Sequence, residues 1–200
     1  GREVGQYLVE HPGIDKVSFT GSTAAGRKIA EACGRLLRPV TLELGGKSAA
    51  VVLDDADLIG NIESFFASTL LNNGQICWLG TRVLARRSNY DTVVDTITGL
   101  VQSLTIGDPL DPTTQVGPLV SARQRERVEG YIAKGRAEGG RVTAGGGRPD
   151  GLDRGWFVQP TVFADVDNSA TISREEIFGP VLSVIPYDDE EQAIAIATDT

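Results

Sequence analysis

The chain has 200 residues, of which 40% are hydrophobic and 23% charged, so a sizeable core is available and extensive disorder is excluded. A net charge of -8 argues against nucleic acid or an anionic membrane as a partner, and no apolar run is long enough to span a bilayer. Two cysteines, no Cys/His cluster at metal-ligand spacing and no signal-peptide pattern predict a cytoplasmic protein with reduced thiols and no metal site.

The apolar periodicity first predicts the strand–helix–strand unit of a parallel sheet. It begins with a helix at 2–11 and continues with a strand at 16–20, a helix at 23–34 and a strand at 39–44. Gly45 and Gly46 then separate these elements from the rest of the chain.

The second part repeats the same alternation and predicts an α/β fold. After a strand at 48–53, the acidic residues Asp54, Asp55 and Asp57 predict the start of a long helix that reaches about Asn73. Strands are predicted at 82–86, 141–144, 157–163 and 181–186, and helices at 90–104, 121–138 and 189–198. The chain lacks methionine and stops within a helical pattern, so we expect a segment of a longer protein.

The stretch "SFTGSTAAG" places a Gly-Ser turn between a strand and a helix. The N–H groups at a helix N-terminus attract anions, so Gly21 and Ser22 are candidates for binding a phosphate group. Equally, Ser22 is a common N-cap residue, and the spacing is not the GxGxxG fingerprint.

The stretch "TLELGGK" contains Glu43 within an apolar strand. If this carboxylate is buried, desolvation raises its pKa towards the range of a general base. Alternatively, strand alternation turns Glu43 towards solvent on an edge strand.

The stretch "NNGQICWLGTR" contains Cys77, a candidate nucleophile in a loop between a helix and a strand. Cys33 lies in an amphipathic helix and fits an inert, buried cysteine. The single histidine, His11, precedes the first strand in a turn, so no local basic partner for Cys77 is evident. In "EEIFGPV", Glu176 is a candidate for binding a pair of sugar hydroxyls, and Phe178 is a candidate for packing against a flat ring. Alternatively, the acidic residues form a charged turn and Phe178 packs in the core.

Taken in order, "SFTGS", "LELGGK", "GQIC" and "EEIFGP" resemble the NAD(P)-dependent aldehyde dehydrogenase superfamily, and the similarity extends over essentially all 200 residues, including "DDADL" and "GWFVQPTVF". The resemblance implies the end of a Rossmann-like cofactor domain followed by most of an α/β catalytic domain. It places residues 1–45 in the NAD(P)-binding domain and residues 46–200 in the catalytic domain, both incomplete.

The resemblance also implies a mechanism without histidine. Cys77 attacks the aldehyde, the thiohemiacetal yields a hydride to the nicotinamide, and Glu43 activates the water that hydrolyses the resulting thioester. The backbone N–H of Cys77 stabilises the oxyanion, and the family's second donor, an asparagine, lies outside this chain.

For the cofactor, the resemblance implies NAD or NADP, bound by a set of residues from three of the motifs. These are Thr20, Gly21, Ser22, Thr23, Gly26, Leu44, Glu176 and Phe178. Trp78, next to the nucleophile, is expected to line the substrate tunnel and to favour an uncharged aliphatic or aromatic aldehyde.

Full-length relatives imply a homodimer or homotetramer, and we expect the 200-residue segment alone to be inactive. Two other functions stay open: a non-catalytic structural or binding protein with the same fold, and a cysteine hydrolase acting on esters. The presence of both Cys77 and Glu43 argues against the first. Turnover without NAD would indicate the second.

Overall fold

The computed structural model describes residues 1–200 and contains seven α-helices and seven β-strands. The helices are α1 Arg2–Glu10, α2 Thr23–Arg35, α3 Ile62–Thr69, α4 Tyr90–Ser103, α5 Ala122–Ala137, α6 Thr171–Arg174 and α7 Glu190–Thr198. The strands are β1 Val17–Gly21, β2 Val40–Leu44, β3 Ala49–Val52, β4 Arg82–Arg86, β5 Arg141–Ala144, β6 Thr161–Ala164 and β7 Val181–Tyr187. By their internal contacts the elements form two compact units, Gly1–Gly45 and Gly46–Thr200.

The first unit is a parallel pair of strands, β1 and β2, connected by α2. Parallel neighbours need a crossover connection, and α2 supplies it. The helix packs closely on β2 at Gly26, where an added Cβ would lie 2.5 Å from Leu44 Cδ2. Glycine therefore permits this approach, and Val9, Ala32 and Cys33 form the small buried core.

The second unit is a five-stranded sheet in the order β3-β4-β7-β6-β5, parallel except for the β5–β6 pair. One face packs against α3 and α4, and the other against α5, α6 and α7. The central strands β4 and β7 are buried on both faces, which explains their nearly continuous apolar sequences. The predicted α/β fold is thus present, and none of its helices combines the length and apolarity needed to cross a bilayer.

The helix predicted from Asp54 to Asn73 is shorter than expected and begins at Ile62. Before it, the Asp57 carboxylate accepts a hydrogen bond of 2.8 Å from the Gly60 backbone N–H, which closes a turn. Short acidic side chains compete with helical hydrogen bonds in this way. At the other end the chain passes into a 3-10 turn, Leu71–Gly74.

The strand predicted at 157–163 begins only at Thr161. Before it, the Gln159 N–H bonds to the Gly147 carbonyl, and Pro160 has no N–H to donate to a ladder. The sequence also gave no indication of the short helix α6.

Candidate active site

The loop that carries Cys77 begins with three successive residues that have positive φ. Asn72, Asn73 and Gly74 have φ values of 53°, 58° and 72°. At Gly74 an added Cβ would lie 2.1 Å from the Gly179 carbonyl oxygen, so the two backbones are in direct contact. Cys77 follows in an exposed turn as a free thiol, whereas Cys33, also a free thiol, is buried.

Two side-chain amides anchor this loop to the segment that precedes α5. Asn73 accepts a hydrogen bond of 2.9 Å from the Gly117 N–H and donates one of 3.1 Å to the Pro118 carbonyl. Gln75 accepts one of 3.1 Å from the Val120 N–H. The asparagine and glutamine of the motif therefore fix the backbone that presents Cys77, a role that the sequence alone did not reveal.

A groove of about 630 Å³ is lined by residues 72–75 of the Cys77 loop, by the segment 109–120 and, from the loop 175–180, by Phe178. Its lining includes Asn72, Asn73, Gln75 and Phe178. The structure thus brings together two motifs that are separated by about a hundred residues in the sequence.

Trp78 lies in a different groove, of about 620 Å³, beside β3 and α3. Its side chain is 56% exposed, whereas that of the next residue, Leu79, is buried. Cys77 lines neither groove, so the role of Trp78 in substrate binding stays a prediction.

Helix α5 holds the loop of Glu176 and Phe178 through hydrogen bonds to backbone carbonyls. Gln124 Nε2 donates to the Phe178 carbonyl at 2.6 Å, and Arg127 Nε donates to the Ile177 carbonyl at 3.2 Å. Arg127 also donates to the Glu176 carbonyl. Phe178 has a φ of 59°, which is unfavourable for a bulky residue, and these bonds offset its cost.

The Glu176 carboxyl is partly buried. Burial raises its pKa, while the nearby backbone of Gly46 and the positive charges of Arg127 and Lys47 act in the opposite direction. A partly desolvated carboxylate with free acceptor capacity suits a pair of sugar hydroxyls.

Lys47, directly after the two glycines of "LELGGK", is a buried residue that the sequence did not single out. Its side chain is 4% exposed, and its Nζ atom has no hydrogen-bond partner. Burial, then the charge of Arg82, lowers the pKa of Lys47 to about 7, and the charge of Glu176 opposes this shift. The sequence signal that could have indicated this burial is the position of Lys47 directly before the apolar strand predicted at 48–53.

In the first unit, the Ser22 hydroxyl accepts a hydrogen bond of 3.3 Å from the Ala25 N–H and caps α2. Ser22 therefore acts as the N-cap, and its binding of a phosphate stays a prediction. The cap leaves the N–H groups of Thr23 and Ala24 without an intrahelical acceptor, and both residues are exposed.

Glu43 is exposed, so the burial considered for it is not found in this chain. It lies opposite Thr20 in the β1–β2 register, and Leu44 lies opposite Gly21. The structure therefore groups Thr20 with Glu43 in one unit, and Cys77 with the loop 175–180 in the other.

Comparison with known proteins decides the family. The model of the aldehyde dehydrogenase family matches residues 1–200. The chain belongs to the aldehyde dehydrogenase family. This membership confirms the resemblance inferred from the order of the motifs.

Two curated relatives and one solved structure illustrate the similarity of this aldehyde dehydrogenase chain. A geranial dehydrogenase of Castellaniella defragrans is 61% identical over 199 residues, covering 100% of this chain and 41% of that protein. A betaine aldehyde dehydrogenase of Rhizobium meliloti is 48% identical over 200 residues, covering 100% and 41%. The crystal structure of Mycobacterium tuberculosis aldehyde dehydrogenase complexed with NAD+ matches with a TM-score of 0.96 and 57% identity, covering 98% of this chain and 41% of that one. The chain thus spans about two fifths of the length of the relatives it matches.

Each unit of this aldehyde dehydrogenase chain carries groups that fit one part of a dinucleotide. The free N–H groups at the start of α2 suit a pyrophosphate, because they combine donors with the positive end of a helix dipole. The Glu176 carboxylate suits a ribose, and the Phe178 ring offers an apolar face.

Proposed function

We propose that the protein containing this chain oxidises an aldehyde to a carboxylic acid and reduces NAD or NADP. The observation that carries the proposal is the free, exposed thiol of Cys77 on a loop packed against the loop of Glu176 and Phe178, within a chain that belongs to the aldehyde dehydrogenase family.

Cys77 provides the nucleophile. Its thiolate sulfur bonds to the aldehyde carbon, and the carbonyl π electrons move to the oxygen to form a thiohemiacetal oxyanion. The backbone N–H of Cys77 donates a hydrogen bond to that oxyanion. A nicotinamide cofactor, when bound, would supply the acceptor for the hydride of the former aldehyde carbon, so that Cys77 would be left carrying a thioester.

Glu43 provides the base for the second half of the reaction. Its carboxylate removes a proton from water, the oxygen attacks the thioester carbon, and the Cys77 thiolate leaves. The product is a carboxylic acid, and an exposed carboxylate at the end of β2 has the access to water that this step requires.

The cofactor is held, in this proposal, by backbone groups of the β1–α2 turn and by the loop before β7. Gly21, Ser22 and Thr23 receive the pyrophosphate at the start of α2, and Gly26 keeps that helix close to β2. Glu176 binds the ribose of the nicotinamide and Phe178 packs against it. Thr20 and the backbone of Leu44 border the nicotinamide.

The substrate proposed is an uncharged aldehyde, because the residue after the nucleophile is the exposed, apolar Trp78. A relative at 61% identity is named for geranial, whereas a relative at 48% is named for the charged betaine aldehyde. Both support an aldehyde as substrate, and the higher identity supports the uncharged one.

The test uses the full-length protein, treated with iodoacetamide in the presence and absence of NAD. Labelling of Cys77 and Cys33 is followed by mass spectrometry, and NADH formation from geranial and from betaine aldehyde is followed in parallel. We expect activity to disappear at the rate of Cys77 labelling, NAD to change that rate, and geranial to be the better substrate. The buried Cys33 is the internal control, because its thiol is inaccessible. Activity that survives complete labelling of Cys77, or turnover of esters in a protein that forms no NADH from any aldehyde, would contradict the proposal.

A further inference from the structure

A buried tyrosine of helix α5 binds the first residue of the loop 175–180. The Tyr131 side chain is 8% exposed, and its hydroxyl donates a hydrogen bond of 2.6 Å to Glu175 Oε2. The same hydroxyl accepts a hydrogen bond of 3.3 Å from Arg127 Nη2. Hydrogen bonds to a carboxylate are the shorter and stronger kind, so this contact fixes the Glu175 side chain against α5.

Glu175 stands directly before Glu176, and the backbone between the two is extended. Glu175 follows the end of α6 with φ -107° and ψ 142°. In an extended backbone, successive side chains point to opposite sides. The bond from Tyr131 to Glu175 therefore directs the Glu176 carboxyl away from Tyr131.

The other contacts of α5 with this loop hold its main chain and do not distinguish the two glutamates. Arg127 donates to the carbonyls of Glu176 and Ile177, and Gln124 donates to the carbonyl of Phe178. Phe178 has a φ of 59°, a conformation that persists only when its surroundings maintain it. The Tyr131 hydroxyl thus adds a side-chain contact at the start of a loop that is held in an unfavourable conformation.

We propose that Tyr131 is a positioning residue that, by binding Glu175, fixes the loop so that Glu176 is the carboxylate presented to the ribose of the cofactor. Tyr131 acts through the loop, and its contribution is to maintain in advance a conformation that the cofactor would otherwise have to order on binding. This inference rests on the proposed function.

The experiment measures NAD binding to the full-length protein by calorimetry, together with the midpoint of thermal unfolding and kcat at saturating NAD. Tyr131→Phe removes the hydroxyl and keeps the ring. We expect its dissociation constant for NAD to be about three- to tenfold higher than that of wild type, because the loop must be ordered on binding. At saturating NAD the loop is already ordered, so kcat should stay within about twofold of wild type.

Variants of Glu175 test whether the effect depends on the hydrogen bond. Glu175→Ala removes the acceptor and should weaken NAD binding as Tyr131→Phe does, and the double variant should be no weaker than either single one. Glu175→Gln keeps an acceptor oxygen for the tyrosine hydroxyl and should retain most of the affinity for NAD.

Tyr90→Phe is the matched control. Tyr90 is also 8% exposed, and its hydroxyl donates to the Val184 carbonyl at 3.1 Å and accepts from the Asp165 N–H at 2.7 Å. This variant should lower the midpoint of thermal unfolding and bind NAD as wild type does, since these hydrogen bonds do not involve the loop 175–180.

Equal NAD affinity of wild type and Tyr131→Phe, or equal weakening by Tyr90→Phe, would overturn the role of Tyr131 and leave the proposed function intact. If Tyr131→Phe does not fold, the exposed Glu175 decides, and equal NAD affinity of Glu175→Ala and Glu175→Gln refutes the role. A wild-type protein that binds neither NAD nor NADP would overturn both the proposed function and this inference.

Discussion

At the residue scale, the exposure of Glu43 bears on the proposal that it activates water. It lies opposite Thr20 at the end of a two-stranded parallel pair, and its carboxylate is exposed. Its proposed contribution is therefore access to water and position.

Replacing the base should separate the two halves of the reaction. We expect Glu43→Gln to form about one equivalent of NADH in a rapid burst and then to turn over about 10²- to 10⁴-fold more slowly than wild type, because an amide cannot accept the proton of water. Stopped-flow absorbance of NADH, with geranial as substrate, measures both phases.

Glu31→Gln is the matched control, since Glu31 is an exposed carboxylate on α2 in the same unit, and its steady-state rate should not change. Loss of the burst together with the steady state would mean that Glu43 acts before the thioester forms. An unchanged steady-state rate would exclude Glu43 as the base.

At the scale of elements, the Cys77 loop is held by a backbone contact and by side-chain hydrogen bonds to neighbouring loops. Gly74 touches the Gly179 carbonyl, and Asn73 and Gln75 connect the loop to the segment 117–120. A change in one of these contacts should therefore affect stability and thiol reactivity together.

We expect Gly74→Ala to lower the free energy of unfolding for two independent reasons. The residue has a φ of 72°, and its new Cβ would lie 2.1 Å from a carbonyl oxygen. We expect a loss of about 2–4 kcal/mol in stability, combining backbone strain with overpacking, and a changed rate of Cys77 alkylation. The midpoint of thermal unfolding of the full-length protein is the measurement.

Gly99→Ala is the control, because Gly99 is exposed in α4 and an added Cβ meets no atom within 4 Å. The free energy of unfolding of this variant should rise by about 0.5–1 kcal/mol, because alanine is more favourable than glycine within a helix. If both variants melt like wild type, the backbone contact at Gly74 does not hold the loop.

Periodicity predicted most elements, since β4, α4, α5 and β7 each bury a regular apolar pattern. It failed where side chains bond locally to the backbone. Asp57 looked like a helix start and closes a turn instead, and Pro160 delays β6. Such hydrogen bonds involve a few atoms only and do not change the periodic pattern of apolar residues in the sequence.

At the scale of the whole molecule, the candidate site is an assembly of segments distant in the sequence. The motifs identified Cys77, Glu176 and Phe178 as residues of interest, and the structure adds the contacts between their loops. The burial of Lys47 and the hydrogen bonds of Gln124 escaped notice because they depend on what the fold places against these residues. A buried lysine and a helix-surface glutamine look ordinary in a linear sequence.

We expect the isolated 200-residue chain to produce little or no NADH from an aldehyde. It spans about 41% of the length of its relatives, so the full set of cofactor and oxyanion contacts is not expected within it. NADH formation by the purified chain, compared with the full-length protein at equal molarity, tests this. Comparable rates would show that these residues suffice for turnover.

The contact between Gly74 and Gly179 has a consequence for how such an enzyme can change its substrate. The spacing between the loop of the nucleophile and the loop of Phe178 is set where two main chains touch, with no side chain between them. In the proposed function, in which Trp78 borders the aldehyde, exchange of this exposed residue for a smaller or polar one would change the substrate contact while the spacing of the two loops stays constant. In this proposal, substrate specificity can therefore change during evolution while the relative position of the two loops stays the same.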